Sequence, residues 1–348
     1  MAISQRTTST TGVTSTTYGA CDRMQLVNNT MGTYTVIQES LTSGAAYEAG
    51  FHNAWRIDCT TADSSPASGD VLYPRYKIES QDLSVFKKGT SGAEAFTIAF
   101  WVKSNKTGNA QVNFYDIDNT RLCSGTYSIS SADTWEHKVI NIAADTTGAW
   151  ADDNGEGLRI EWRLDSGSDS TSGATPTAWE AHNAADRDVA GQLQIARSTS
   201  NDWAITGIQL EVGTFTSATL PPFQFESFEE NLHRCKRYYH SIADGSIQQY
   251  EYIATGHAQS GSSAHGVYRF DPQMRATPSL VTTMGTNYMY SLRDNGEDFH
   301  DNFELYTSAQ TSRAFSWKCD DNHSVTQGQA VTIATGNTAA RIAADAEL

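Results

Sequence analysis

The chain has 348 residues, with 24 basic and 40 acidic side chains and a formal net charge of −16. This acidity argues against nucleic acid or an anionic membrane surface as the main partner, because both attract clustered lysine and arginine. The length suggests two domains, or one large domain with an appendage. No apolar run approaches the roughly 18 residues of a membrane span, and the N-terminus lacks the apolar segment of a secretory signal.

The five cysteines show no sign of a disulfide framework or a metal site. They are odd in number, far apart and without a C-x-x-C pair or a metal-like Cys/His spacing. Such a pattern is typical of a chain that folds in a reducing cytoplasm. We therefore predict free thiols at Cys21, Cys59, Cys123, Cys235 and Cys319.

Residues 1–20 are dominated by Thr, Ser and Gly and contain few apolar side chains. A segment of this composition cannot bury enough apolar surface to fold alone. We predict an extended N-terminal arm over residues 1–20. A frayed tail and an arm laid along a neighbouring subunit are both compatible with the composition.

Residues 21–213 show one predicted strand after another, separated by clusters of Gly, Ser, Asp and Asn. In the segment Phe96–Ser104, for example, β-branched and aromatic residues follow a period of two. Roughly ten strands without a long helical period indicate an all-β, two-sheet jelly roll. We predict strands over Gly32–Ile37, Asn53–Thr60, Arg75–Ile78, Phe96–Ser104, Ala110–Ile117, Thr126–Ile129, Trp135–Ile142, Leu158–Leu164, Leu193–Ser198 and Trp203–Val212.

Two segments interrupt this series of strands. Ser80–Lys88 is predicted to form a short helical turn that packs Leu83 and Phe86 on a sheet edge. Thr175–Arg187 is long for a loop of a sandwich. Loops of this length are functional more often than loops in general.

Residues 214–242 are predicted to form a proline corner and a linker helix. In the strand ahead of them, the alternation fails at Gly207, which predicts a bulge there. The two prolines at 221 and 222 cannot continue a sheet ladder. Ser227 stands three residues before Glu230 as a capping box, and so a helix should begin there. Its predicted apolar stripe comprises Phe228, Leu232, Cys235 and Tyr239.

Residues 243–348 are predicted to form a second, smaller β domain. Asn295-Gly296 is a type I′ hairpin signal between one run at Tyr288–Leu292 and a second at Phe303–Leu305. Strands are predicted over Gln248–Ala254, Gly266–Phe270, Ser279–Met284, Asn287–Leu292, Asn302–Tyr306, Arg313–Cys319, Ala330–Thr335 and the last residues of the chain.

No spacing typical of a catalytic motif occurs, and we predict a protein that is not an enzyme. Asp116 and Asp118 could share a strand face like the paired carboxylates of a glycosidase, although a solvated loop edge explains them as well. We predict no cofactor and no metal. Three hard oxygen donors around a glycine could hold a structural Ca²⁺ or form a plain β-turn, and they come from Asp152, Asp153 and Glu156.

Sugar recognition uses aromatic faces and planar polar side chains, and the chain offers candidates near its turns. Tryptophans inside strands are expected in the core, although Trp101 and Trp162 have the opposite parity from their most apolar neighbours and could face outward. For the tryptophans near turns, a core role and a binding role are equally compatible. The predicted ligand-binding residues are Trp150, Trp179, His182, Tyr288 and Tyr290.

The end of the predicted linker helix is a candidate contact surface. A contact between subunits and the docking of the helix onto a sheet of the same chain are both compatible with its aromatic and basic side chains. The predicted contact residues are Phe228, Leu232, Arg234, Arg237, Tyr238 and Tyr239.

Three motifs resemble segments of bacteriophage virion proteins of the tail-fibre or receptor-binding-like type. The first is a G-[IV]-Q-L-E-x-G strand. The second is C-x-R-Y-Y, which follows the strand after a linker that contains Phe223 and Phe225. The third is M-R-A-T-P, ahead of a strand. The matching positions are Gly207, Gln209, Leu210, Glu211, Gly213, Cys235, Arg237, Tyr238, Tyr239 and 274–278.

The resemblance implies a structural virion protein with a jelly roll similar to carbohydrate-binding modules. We expect a homotrimeric tail-fibre or receptor-binding protein that contacts other virion proteins and attaches to host surface glycan. Its expected location is the virion, after synthesis in the bacterial cytoplasm without a signal peptide. A capsid decoration or head-fibre protein without receptor binding, and a polysaccharide depolymerase, are the alternatives.

Overall fold

The structure is a computed structural model that describes residues 1–247, 250–294, 296–320 and 324–348. It divides into two compact units, Met1–Glu226 together with Leu348, and Ser227–Glu347. The division falls inside the predicted linker of residues 214–242. The limits predicted for the sandwich and for the C-terminal domain stay predictions.

The first unit consists mainly of strands, with a four-residue helix α1 (Ala45–Glu48) and short 3-10 helices at Ser80–Phe86, Ser168–Ser170, Ala184–Asp186 and Ile195–Arg197. Its described strands are β1 (Ser9–Val13), β2 (Thr17–Tyr18), β3 (Gln25–Asn29), β4 (Thr33–Ser40), β5 (Asn53–Thr61), β6 (Val71–Glu79), β7 (Phe96–Ser104), β8 (Gly108–Asp116), β9 (Arg121–Ile129), β10 (Glu136–Ile142), β11 (Glu156–Trp162), β12 (Asp165–Ser166), β13 (Glu180–Ala181) and β14 (Asp202–Val212).

These strands form two antiparallel sheets. Within the described ranges, one has the order β1-β4-β5-β14-β7-β10, and the other has the order β13-β9-β8-β11-β6-β3-β2 with β12 beside β6. The inner faces of both sheets meet in one core cluster that includes Trp55, Trp162 and Trp203, each with no exposed surface. The predicted all-β jelly-roll sandwich is confirmed.

Of the two tryptophans with ambiguous parity, Trp162 lies in the core and Trp101 lies on the outer face. The Trp101 ring centroid is 5.0 Å from that of His137, its partner across β7 and β10. The 3-10 helix Ser80–Phe86 confirms the predicted helical turn, with Leu83 and Phe86 buried. The five cysteines are free and buried.

The predicted extended arm over residues 1–20 is wrong. β1 pairs with β4 at the edge of the six-stranded sheet, and β2 pairs with β3 of the other sheet. Ile3 is buried, and the side chain of Asp22 accepts hydrogen bonds from both the backbone and the side-chain amide of Gln5. Thr-rich segments suit edge strands because backbone pairing requires no apolar side chain.

The strand predicted over Leu193–Ser198 is also wrong, because the 3-10 helix Ile195–Arg197 replaces it. The side-chain amide of Asn201 donates to the backbone oxygens of Gln194 and Ile195. Polar side chains that bind backbone groups in this way compete with a sheet ladder.

Gly207 produces the predicted bulge in β14. Between Thr206 and Gln209, three steps along β14 match two steps along β7. Gly207 has a φ of 60°, and a Cβ at this position would lie 2.6 Å from Cζ of Phe51. The bulge therefore opens the outer sheet surface for a phenyl ring.

The same ring anchors the chain after β14. Phe51 has ring centroids 4.8 Å and 5.1 Å from Phe223 and Phe225. The side chain of Gln209 donates to the backbone oxygen of Pro221 at 3.0 Å. The chain ahead of the helix is thus held against the outer face of the six-stranded sheet.

The second unit begins with α2 (Phe228–Lys236), which has the predicted capping box of Ser227 and Glu230. Its described strands are β15 (Tyr239–Asp244), β16 (Tyr252–Ser260), β17 (Ser263–Arg269), β18 (Ser279–Thr283), β19 (Met289–Arg293), β20 (Gly296–His300), β21 (Glu304–Gln310), β22 (Ala314–Cys319), β23 (Ala330–Thr335) and β24 (Arg341–Asp345). They form a sheet with the order β15-β24-β18 and a sheet with the order β20-β19-β23-β16-β17-β22-β21. The predicted helix followed by a smaller β-rich part is confirmed.

The predicted helical position of Tyr239 is wrong, because α2 ends at Lys236 and Tyr239 begins β15. The predicted partner strand of the hairpin is also wrong: β19 pairs with Gly296–His300, and Phe303 is buried in the core. Asn295 lies outside the described residues. Residues 248–249 of another predicted strand lie outside them too, and β16 begins at Tyr252.

The motifs of the second unit meet at the three-stranded sheet. β15 begins at Tyr239, the last residue of the C-x-R-Y-Y motif, β18 follows M-R-A-T-P, and β24 lies between the two strands. The backbone N–H of Arg275 donates to the backbone oxygen of Arg237 at 2.7 Å, and its Nε donates to that of Ala346 at 2.9 Å. Arg275 therefore connects its own segment with the segments of Arg237 and Ala346, which are distant in the sequence. No helix in the described part of the chain has the length and apolar character to cross a bilayer.

We predict that Gly207→Ala lowers the free energy of unfolding of the first unit by about 2–4 kcal/mol, because it adds a steric clash to a left-handed backbone. Gly12→Ala is the matched control, since Gly12 has a φ of 69° with open space around its Cβ position. It should cost only about 1 kcal/mol. Chemical denaturation measures both values, and equal losses would contradict the role of the Phe51 ring.

Candidate ligand-binding face

The outer face of the eight-stranded sheet is crossed by a row of polar side chains. Register places one residue from each of five strands side by side. The neighbours of these residues along each strand, such as Ile160 and Phe114, point into the core. The row therefore points away from the core, and it consists of Gln25, Arg75, Glu161, Asn113 and Ser124.

A second row lies next to the first, toward the C-terminal end of β6. It consists of Lys77, Arg159, Tyr115 and Leu122 on β6, β11, β8 and β9. Tyr115 is half-buried, and the side chain of Arg159 keeps 19% of its surface exposed. A partly open aromatic ring and a guanidinium group thus stand side by side on this face.

The long loop over residues 175–187 lies across the first row. The side-chain amide of Gln111 donates to the backbone oxygen of Asp186 at 2.8 Å, and that of Asn113 donates to the backbone oxygen of Arg187 at 2.8 Å. The backbone N–H of Ser124 donates to the oxygen of Pro176 at 2.7 Å. These contacts bring the loop side chains His182 and Arg187 onto the sheet.

Glu161 is the electrostatic centre of this face. It has no exposed surface, and Nη2 of Arg187 donates to both of its carboxylate oxygens. Nη1 of Arg159 and Nη1 of Arg163 each lie 3.9 Å from it. Burial alone would raise the pKa of Glu161, but Arg187 and Arg163 outweigh burial and hold this pKa below its usual range.

Aromatic rings flank the guanidinium group of Arg187. It lies 5.6 Å from the ring of Tyr73 and 5.9 Å from that of Tyr115. The ring centroid of His182 is 4.7 Å from that of Tyr115, and burial together with Arg187 lowers the pKa of His182, which favours its neutral form. We name this cluster the arginine patch and define it as Tyr73, Tyr115, Arg159, Glu161, His182 and Arg187.

The arginine patch combines flat aromatic surface with planar, charged hydrogen-bonding groups. Guanidinium and carboxylate groups make directional, charge-assisted hydrogen bonds, and aromatic rings offer apolar area. Such a combination can bind and orient a polar ligand with many hydroxyl groups.

Of the residues predicted to bind a ligand, only His182 lies in this patch. The tryptophans predicted with it lie elsewhere, because Trp150 and Trp179 each have their ring centre 5.4 Å from the buried ammonium group of Lys88. Lys88 in turn contacts Asp116 at 2.6 Å. Trp179 is buried, and its Nε1 donates to a backbone oxygen at 2.8 Å. Both tryptophans therefore pack around a buried ammonium group, and their predicted role in ligand binding stays a prediction.

The predicted tyrosines lie in the second unit. Tyr290 is aligned by strand pairing with Tyr252, Ala334 and Phe299 across the seven-stranded sheet. Tyr290 is buried, its hydroxyl group donates to Glu297, and Tyr252 is exposed. Tyr288 is half-buried beside Gly285. Nothing in these contacts connects Tyr288 and Tyr290 to a shared pocket.

The residues predicted as a contact surface have different environments. Phe228 and Arg234 are exposed, Leu232, Arg237 and Tyr239 are half-buried, and Tyr238 is buried. The backbone oxygen of Tyr238 accepts a hydrogen bond from Ala346 at 2.8 Å. Their role in contacts between subunits stays a prediction.

The candidate carboxylates do not converge. Asp116 is buried and is the last residue of β8, whereas Asp118 lies beyond the strand and is exposed, and so the two carboxylates do not share a strand face. Asp152 and Asp153 are exposed, and Glu156 forms a two-fold hydrogen bond with Arg159 at 2.7 and 3.2 Å. Among the described residues, no group of three or more His, Cys, Asp and Glu side chains is placed to hold a metal ion.

A signal for the missed residues was present in the sequence. The segment Leu158–Asp165, LRIEWRLD, alternates large apolar residues with charged ones over eight positions. Such a strand predicts one face in the core and one charged face. No local pattern shows that a loop later in the chain supplies Arg187 to Glu161, because the two residues are 26 positions apart.

No protein-family model matches the chain, and no curated protein matches its sequence. Weak likenesses to solved structures were found. The enzymatically active domain of tailspike protein 4 from bacteriophage CBA120 is 13% identical with a TM-score of 0.30, over 55% of this chain and 19% of that chain. The chain thus spans about a fifth of the length of that tailspike structure.

Carbohydrate-binding modules give similar values. The family 11 module from Clostridium thermocellum, in complex with a mixed-linked tetrasaccharide, is 10% identical with a TM-score of 0.27, over 56% of this chain and 90% of that chain. The C-terminal family 22 module of Xyn10B from Clostridium thermocellum is 8% identical with a TM-score of 0.28, over 57% and 88%. Likenesses at this level carry no argument about function.

The raised pKa of Asp188, the residue after Arg187, predicts that the free energy of unfolding depends on pH. Burial raises its pKa to about 6, and Arg163 and Ser166 only partly oppose this effect. The native state therefore holds this proton more tightly than the unfolded chain, and Asp188 costs stability as the pH rises from about 4 to 6. Relative to Asp188→Asn, the wild type should lose about 2–3 kcal/mol of unfolding free energy over this range.

Chemical denaturation of both proteins at intervals between pH 4 and 7 measures this difference. The contributions of groups that titrate alike in the two proteins cancel in the difference between their free energies of unfolding. A difference that is independent of pH would show that Asp188 is ionised in the native state throughout.

Proposed function

We propose that the protein binds a glycan at the arginine patch of its first unit. The observation that supports this most is the half-buried ring of Tyr115, whose centre lies 5.6 Å from the guanidinium group of Arg159 and 5.9 Å from that of Arg187. The apolar faces of sugar rings pack on aromatic rings, and their hydroxyl groups bind planar charged groups. The buried carboxylate of Glu161 and the loop backbone hold these groups in place, which lowers the entropic cost of binding.

We further propose that this binding serves host attachment by a structural virion protein of a tailed bacteriophage, acting without catalysis as a homotrimeric tail fibre. The three motifs that resemble phage virion proteins support this proposal. Several of their residues have packing roles, such as Gly207 in the bulge and Arg275 at the three-stranded sheet. Capsid decoration and glycan depolymerisation are the competing functions.

We predict that Tyr115→Ala weakens glycan binding roughly tenfold, because an aromatic contact of about 1 kcal/mol or more is lost. A glycan array identifies a ligand of the wild type, and isothermal titration calorimetry then compares the affinities. Tyr47→Ala is the matched control, since Tyr47 is an exposed tyrosine of the same unit and lies outside the patch. Unchanged affinity of Tyr115→Ala, with native circular dichroism, would refute binding at the patch.

We predict that gold-labelled antibody marks the tail of intact particles. We also predict that light scattering on the pure protein at micromolar concentration gives the mass of a trimer. Uniform labelling of the capsid would favour the decoration function instead. Release of reducing ends from host polysaccharide by the pure protein would favour the depolymerase. A monomeric mass would contradict the trimer alone.

A further inference from the structure

The arginine patch lies on a cationic face of an acidic protein. The two polar rows and the loop bring together Arg75, Arg159 and Arg187, with Glu161 as the carboxylate among them. Two of these arginines, together with Arg163, lie within 3.9 Å of that single carboxylate. The carboxylate of Glu161 therefore lies close to three guanidinium groups, although the whole chain has a net charge of −16.

The carboxylates at the edges of the patch do not remove this surplus. Glu156 is shared, because it binds Arg159 at 2.7 Å and lies 3.7 Å from Lys77. Asp188 lies 3.9 Å from Nε of Arg163, a guanidinium that is fully buried. Neither carboxylate forms an ion pair with Arg75 or Arg187 in the described part of the chain.

Among the arginines of this face, Arg75 is the one whose charge is least compensated by carboxylates. It is the direct cross-strand partner of Glu161, but its Nε donates to the side-chain oxygen of Gln25 at 2.5 Å. No ion pair joins Arg75 to a carboxylate among the described residues. It is half-buried, and so its side chain borders the open part of the face. A guanidinium that is held by a neutral amide keeps its full charge available to a ligand.

We infer that the ligand of this face is an acidic glycan whose sugar carboxylates are bound by Arg75 and Arg187. This inference rests on the proposed function and specifies its ligand class. Guanidinium groups bind carboxylates in a planar, two-fold geometry that a neutral hydroxyl group cannot match. The net charge of −16 disfavours the approach of a polyanion, and so a local group of positive charges is needed where one is bound.

The test compares uronic-acid and sialic-acid oligosaccharides on one array with the same oligosaccharides as methyl esters. The ester removes the negative charge and keeps the sugar rings. We expect the acids to bind at least tenfold more tightly than the esters, with an affinity that falls as salt increases. Equal binding of acid and ester, or binding of neutral glycans alone, would overturn the acidic class and leave glycan binding intact. The absence of any glycan ligand would overturn both proposals.

Arg75→Gln tests the assignment to this face. Arg75 is chosen because Arg187 neutralises the buried Glu161, and its loss would destabilise the fold. We expect roughly tenfold weaker binding of the acid and unchanged binding of the methyl ester. Lys87→Gln is the matched control, since Lys87 is an exposed cation of the same unit with a side chain that is 57% exposed. Equal affinity of Arg75→Gln and the wild type for the acid would overturn the assignment.

Discussion

The burial of Glu161 is the constraint on which the candidate ligand-binding face depends. An ionised carboxylate without exposed surface is tolerated only if cations and hydrogen bonds replace its water. Arg159 and Arg163 come from the same part of the chain, but the direct partner, Arg187, arrives at the end of the long loop. The loop therefore has to lie across the sheet, and its backbone oxygens satisfy the amides of Gln111 and Asn113.

The outer face of the six-stranded sheet fixes the path of the chain after β14. The bulge at Gly207 admits the ring of Phe51, and Phe223 and Phe225 pack on that ring. Gln209 then holds the backbone at Pro221. The residues that resemble phage proteins thus have packing roles here, which explains why the motif contains a glycine and a glutamine at these positions but does not identify a ligand.

The sequence predicted β7 and β23 with their observed limits, because period-two alternation survives wherever one strand face is buried. It predicted the cap at Ser227 for the same reason: the signal is local. It failed for β1, where pairing with β4 replaces the packing of apolar side chains. It named His182 but not its neighbours Tyr115 and Arg187, because their proximity depends on a loop that crosses a sheet.

The sequence by itself determined the all-β class, the bulge at Gly207, the capped helix and the charged face of β11, since each follows from residues that are near one another in the chain. Only the tertiary structure decided which charged residues meet. Glu161 and Arg187 are separated by 26 residues, and Glu161 and Arg75 are joined by strand register. Local patterns state which side of a strand is polar, but register and loop path determine which polar groups become neighbours.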